Sequence, residues 1–108
     1  ANSCSRAGGG VEAVVGTTRL VRVSLVDNVT GPTPGNGGGL HLTGAGLVEI
    51  DRSTVLGNLA ANEGGGLWNS ATGTMVVTLT AIAGNMAPVG PEVFNQGGTF
   101  TIDGVPVP

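Results

Sequence analysis

Few side chains in these 108 residues can do acid–base or nucleophilic chemistry: seven carboxylates, four arginines, one histidine and one cysteine, with no lysine and no tyrosine. Glu49 and Asp51 share one strand-like run, with Arg52 beside them. Asp103 falls in the same repeat frame as Asp51, two repeats on, with Thr78 between. Two strand spacings put those carboxylates about 10 Å apart, too far to share one cation. A hydrolase needs a positioned acid–base pair in a pocket, and no such pair is legible. The pattern predicts a solvated outer face here, no catalytic residue, no metal site and no cofactor.

His41 shares its frame with Glu12, Trp68 and Phe94. A lone histidine without further ligand-type residues in frame is a poor metal site. Its position predicts an exposed or half-exposed rung beside a glycine corner. The Trp68/Phe94 step is the candidate ligand contact, two stacked aromatics that could hold a sugar ring or a neighbouring subunit. Cys4 falls in the small-residue frame of Thr30, Ala60 and Ala87. With no second cysteine it is an inert thiol or half of an intermolecular disulfide. Asn28-Val29-Thr30 is a formal glycosylation sequon, but Asn28 belongs to a corner column. The T-x-T pairs Thr78/Thr80 and Thr99/Thr101 do not align into an ice-binding ladder. No phosphate loop G-x-x-x-x-G-K-[ST] is present.

These residues must be positioned by a repeat. Gly8-Gly9-Gly10-Val11, Gly37-Gly38-Gly39-Leu40 and Gly64-Gly65-Gly66-Leu67 open three copies, and Pro91-Glu92-Val93 a degenerate fourth. Asn28, Asn58 and Asn85 keep the same period, and Asn2 fits the frame. Between glycine and asparagine lie short β-branched runs such as Leu47–Ile50 and Thr74–Leu79, which read as strands. Such a unit buries its apolar side only by stacking on its neighbours in parallel. Like residues then form columns: Val11/Leu40/Leu67/Val93, Leu20/Ile50/Val77/Ile102 and Leu25/Val55/Ile82/Val107, with an amide ladder Asn2/Asn28/Asn58/Asn85. The prediction is an all-β, right-handed parallel β-helix of about four coils and roughly 27 residues per coil. It forms a single domain, 1–108, with coils near 2–28, 29–58, 59–85 and 86–108.

The cadence of strand, Gly57-Asn58, Leu59-Ala60, then Gly64-Gly65-Gly66-Leu67 resembles the right-handed β-helix repeats of secreted bacterial proteins, namely pectin-lyase-like repeats and chlamydial polymorphic outer-membrane proteins. The resemblance covers nearly the whole chain. It implies a scaffold that hosts adhesins, lyases, hydrolases and inert stalks, so function rests on the site.

A net charge of −3 with only four arginines disfavours nucleic acid, and no stretch of about 20 residues is continuously apolar as a spanning helix needs. Val107-Pro108 falls in the frame of Ile82-Ala83, and Ala1-Asn2 in that of Gly84-Asn85. One copy could thus continue the frame of another, head to tail. Ala1, Asn2, Cys4, Val105, Pro106, Val107 and Pro108 are the candidate assembly edges, with Pro106 and Pro108 able to blunt an edge if their missing donors face outward. The expectation is a secreted or cell-surface, non-catalytic structural protein that stacks with copies of itself into a filament or appendage. The alternative is an adhesin or polysaccharide-binding module contacting a host surface through Trp68 and Phe94. Behind these stand a carbohydrate-active enzyme fragment and an ice-binding protein.

Overall fold

The computed structural model describes residues 2–108. Ala1, one of the expected assembly edges, lies outside the described residues. The first winding holds β1 (Ser3–Cys4), β2 (Val11–Ala13), β3 (Thr17–Val21) and β4 (Ser24–Val26). The second holds β5 (Val29–Thr30), β6 (Leu40–Leu42), β7 (Leu47–Asp51) and β8 (Thr54–Leu56), and the third β9 (Leu67–Asn69), β10 (Thr74–Thr78) and β11 (Ala81–Ala83). The fourth holds β12 (Val93–Asn95), β13 (Thr99–Ile102) and β14 (Val105–Pro106). No helix is present among the described residues.

From β1 to β13, each strand pairs in parallel with its counterpart in a neighbouring coil. The sheets run β2-β6-β9-β12, β3-β7-β10-β13 and β4-β8-β11, with β1 paired to β5. Thr17, Leu47, Thr74 and Thr99 succeed one another in register at intervals of 30, 27 and 25 residues. This is a parallel β-helix, a β-solenoid of about four turns. Its core is a set of vertical columns. Leu40 and Leu67, Ile50 and Val77, and Val48 and Met75 are all essentially inaccessible. Burying a side chain of this kind stabilises by about 1.5–3 kcal/mol. Their end-coil counterparts Val11, Val93, Leu20 and Ile102 are only partly buried, because only one neighbouring coil covers them.

Three corners per coil turn through the left-handed region. Gly8, Gly37, Gly64 and Gly90 form one column (φ 57–67°), and Asp27, Gly57 and Gly84 another (φ 55–66°). The third corner is Arg22, Arg52 and Leu79 (φ 47–54°). Its residue types carry no left-handed signature, which makes it invisible to sequence reading.

One predicted column is corrected. Leu25, Val55 and Ile82 do stack, but Val107 does not join them. After β13 the chain reverses at Asp103-Gly104, both with positive φ (50° and 81°), and β14 runs antiparallel to β13. Two left-handed residues between paired strands are what a two-residue hairpin loop requires. The local Asp-Gly turn therefore prevails over the repeat frame.

Candidate functional site: the coil ends and the aromatic column

The asparagine corner is a continuous amide ladder. The Asn2 amide donates to Asn28 Oδ1 (2.8 Å). The amide and Nδ2 of Asn28 both donate to Asn58 Oδ1 (2.9 Å each). Asn58 repeats this onto Asn85 Oδ1 (2.9 and 2.8 Å) and also donates to the Leu25 carbonyl (2.8 Å). In the fourth coil no asparagine follows, and Glu92 Oε2 accepts from Asn85 Nδ2 instead (2.7 Å). Sequence reading missed Glu92. The signal was its place in the third-glycine position of the degenerate repeat.

That ladder explains the glycine triplets. A Cβ on Gly38 would lie 2.3 Å from the Gly65 carbonyl oxygen and 2.8 Å from Leu59 backbone atoms. A Cβ on Gly39 would meet the Gly66 oxygen at 2.6 Å and the Asn58 amide at 3.2 Å. The triplet is thus wedged between the asparagine corner and the next coil. A second ladder of side chains was also missed: Ser53 Oγ accepts from the Val23 amide (3.0 Å), and Thr80 Oγ1 from the Ser53 amide (3.2 Å).

The aromatic column follows the predicted register Glu12, His41, Trp68, Phe94, but it is not a solvated one. His41 is 5% exposed and Trp68 9%, which corrects the expectation of an exposed histidine rung. His41 stacks on Trp68 at a centroid distance of 4.4 Å, and Phe94 lies 6.3 Å below the other indole face. Trp68 therefore presents no free ring face to a sugar, and its Nε1 donates to Glu63 (3.2 Å). His41 Nδ1 contacts Thr43 Oγ1 at 2.9 Å and lies 3.9 Å from Glu12. Burial holds the imidazole pKa below its ordinary value, and Arg6 adds to that. Glu12 opposes both.

On the outer face of β7 and β10, Asp51 accepts from Thr78 Oγ1 (2.8 Å) and pairs with Arg52. The Thr78 hydrogen bond, followed by Arg52 and Arg22, holds its carboxyl below the usual carboxylate range. Asp103 is engaged elsewhere, its Oδ1 accepting from the Leu79 amide (2.8 Å). The two aspartates therefore serve separate structural bonds. Among the described residues no three His, Cys, Asp or Glu side chains are grouped as a metal site would need. Cys4 is half-buried, paired in register with Thr30, and its thiol donates to the Ala7 carbonyl (2.9 Å). Asn28 of the sequon is 3% exposed, so a glycan has no access to it in the folded coil.

The coil ends differ from each other. β2, β3 and β4 each terminate their sheets in the first coil. At the other end β12 and β11 terminate theirs, while β13 is covered by β14. No described helix is long and apolar enough to cross a membrane.

No protein-family model, curated protein or solved structure matches the chain. The class its backbone defines is that of the β-solenoids.

Proposed function

We propose that this chain is a non-catalytic structural module of a secreted or cell-surface protein, whose coils stack end to end with other copies to build a filament or surface appendage. The observation that supports this reading is that, among the described residues, β2, β3 and β4 of the first coil are each paired on one side only. There β2, β3 and β4 bring three parallel edges, already in column register, to the same end of the stack. Unpaired strand edges template further pairing, and a head-to-tail contact propagates unless rotation closes it. Asp51 and Asp103 are engaged in separate structural hydrogen bonds, and the one histidine lies inside a stack. The repeat cadence, similar to that of pectin-lyase-like and polymorphic outer-membrane repeats, suits an extracellular setting.

Sedimentation velocity and negative-stain microscopy over a concentration series test this. The expected result is concentration-dependent growth into rods with the width of one solenoid. A monomer at every concentration, in the parent and in end-coil variants alike, overturns it.

A further inference from the structure

The hairpin that displaced Val107 from its predicted column has its own logic. Ile102 pairs with Val105 and Thr101 with Pro106. The Val107 amide donates to the Phe100 carbonyl (2.8 Å), and Asn95 Nδ2 donates to the Val107 carbonyl (3.0 Å). Val107 packs against the core cluster that contains Phe100. The turn is tied down in turn, because Asp103 Oδ1 accepts the Leu79 amide of the previous coil. Residues 103–108 thus run back across the end of the stack, filling the core mouth and occupying the edge of β13.

The orientation of the two prolines follows from the ladder. In an antiparallel pair, successive residues point their amides alternately toward and away from the partner. Val107 donates inward to Phe100, so positions 106 and 108 point outward. Both are proline and both are exposed, and proline has no N–H to offer. The outer edge of this segment therefore has no backbone donor at either outward position. Proline placed this way blunts a sheet edge.

We propose that residues 103–108 are a strap that closes this end of the solenoid against a second copy of the chain. It blocks stacking twice, by occupying the β13 edge and by presenting a donor-free edge in its place. End-on growth at this end then requires the strap to lift. The inference rests on the stacking reading above.

Two variants test it. Val107→Asp places a carboxylate at the core mouth and releases the strap. Pro106→Val with Pro108→Val leaves the strap seated but restores both outward donors. Each is compared with the parent by light scattering over time at equal concentration, with amide exchange at residue 107 reporting whether the strap is seated. The expected result is assembly at least tenfold faster in both variants, with position 107 unprotected in the first and protected in the second. Assembly of both variants at the parent's rate overturns the strap and leaves the stacking reading standing. Failure of all three chains to assemble, with position 107 shown to be released in Val107→Asp, overturns the stacking reading and the strap's role with it. Should Val107→Asp lose the β-sheet circular dichroism of the parent, the proline variant alone decides: faster assembly supports the strap, and the parent's rate overturns it.

Discussion

Asn58 should be the most sensitive polar position in the chain. It is fully buried, and its side chain makes four hydrogen bonds: two accepted from Asn28, one donated to Asn85 and one to the Leu25 carbonyl. Truncation in Asn58→Ala removes the acceptor shared by the Asn28 amide and Nδ2. Both donors are then stranded in a dry corner only 3% exposed at Asn28. Each stranded donor costs about 1–3 kcal/mol, so the expected loss is about 3–5 kcal/mol. A domain of this size has about 5–15 kcal/mol in all. With a urea slope of about 1–3 kcal/mol/M, the unfolding midpoint should fall by about 2 M. Asn58→Asp should be no better, because its second oxygen would face the Leu25 carbonyl and Asn85 Oδ1, two acceptors. Asn2→Ala is the control: Asn2 enters the ladder through its backbone amide, and its exposed side chain can be lost for about 0.5 kcal/mol or less. Equal midpoints for Asn58→Ala and Asn2→Ala in equilibrium urea unfolding would refute the ladder as a source of stability.

Other positions separate the remaining causes. Gly38→Ala should cost at least ~3 kcal/mol or prevent folding, since its Cβ meets unyielding backbone at 2.3 Å. Gly16→Ala, with open space but φ +80°, should cost only about 1–2 kcal/mol; thermal unfolding compares the two. Leu79→Asn should stabilise by about 0.5–1 kcal/mol, because Leu79 is 66% exposed and holds φ 49°, a conformation asparagine tolerates; an unchanged or lower midpoint would count against strain there. Burial lowers the His41 pKa, so the unfolded chain binds the proton more readily than the folded one. Stability is then complete above the unfolded value of about 6.5 and declines as pH falls below it. Asp51 is shifted down as well; as a carboxylate its contribution is present above about 3.9 and lost below. Urea titrations from pH 8 to pH 3 should show both declines, and His41→Phe should remove the upper one while keeping the stack on Trp68. Replacing Pro91 and Glu92 by glycine should cost about 1–2 kcal/mol in the same assay, through the lost acceptor for Asn85 and two freer backbone positions.

The columns were legible because stacking obliges like residues to recur at like positions. Leu40 over Leu67 and Ile50 over Val77 fall out of the period alone, as does the asparagine ladder. The burial of His41 was not legible. Alternation along β6 turns His41 away from Leu40 and Leu42, and an outward side chain ordinarily meets water. Here the Gly37 corner closes over it: a Cβ on Gly37 would lie 2.8 Å from His41 Cβ, and Trp68 stacks on the ring. Departure from the core face is therefore not the same as exposure in a solenoid, where coils above and below shield a side chain. The hairpin was legible in principle. Asp103-Gly104 between Ile102 and Val105 is a strong two-residue turn signal, and the repeat frame, which places Val107 with Ile82, masked it.

The departures of the fourth repeat from the other three have a common cause. Within the stack each coil's polar groups are satisfied by the coil that follows, and its glycines make room for that coil's backbone. Gly65 has the Pro91 carbonyl 2.4 Å from where its Cβ would be, and Gly66 has that of Glu92 at 2.5 Å. Among the described residues no further coil lies beyond Pro91 and Glu92, so side chains are tolerated there. One of them supplies the acceptor that the next asparagine would have supplied. The same reasoning covers Val107, which packs on the core where a fifth coil would, and Pro106 and Pro108, which present no outward donor. What looks like decay of the repeat in sequence is a change of boundary condition. Each of the first three coils fits the coil that follows it, whereas the fourth fits the antiparallel strand β14.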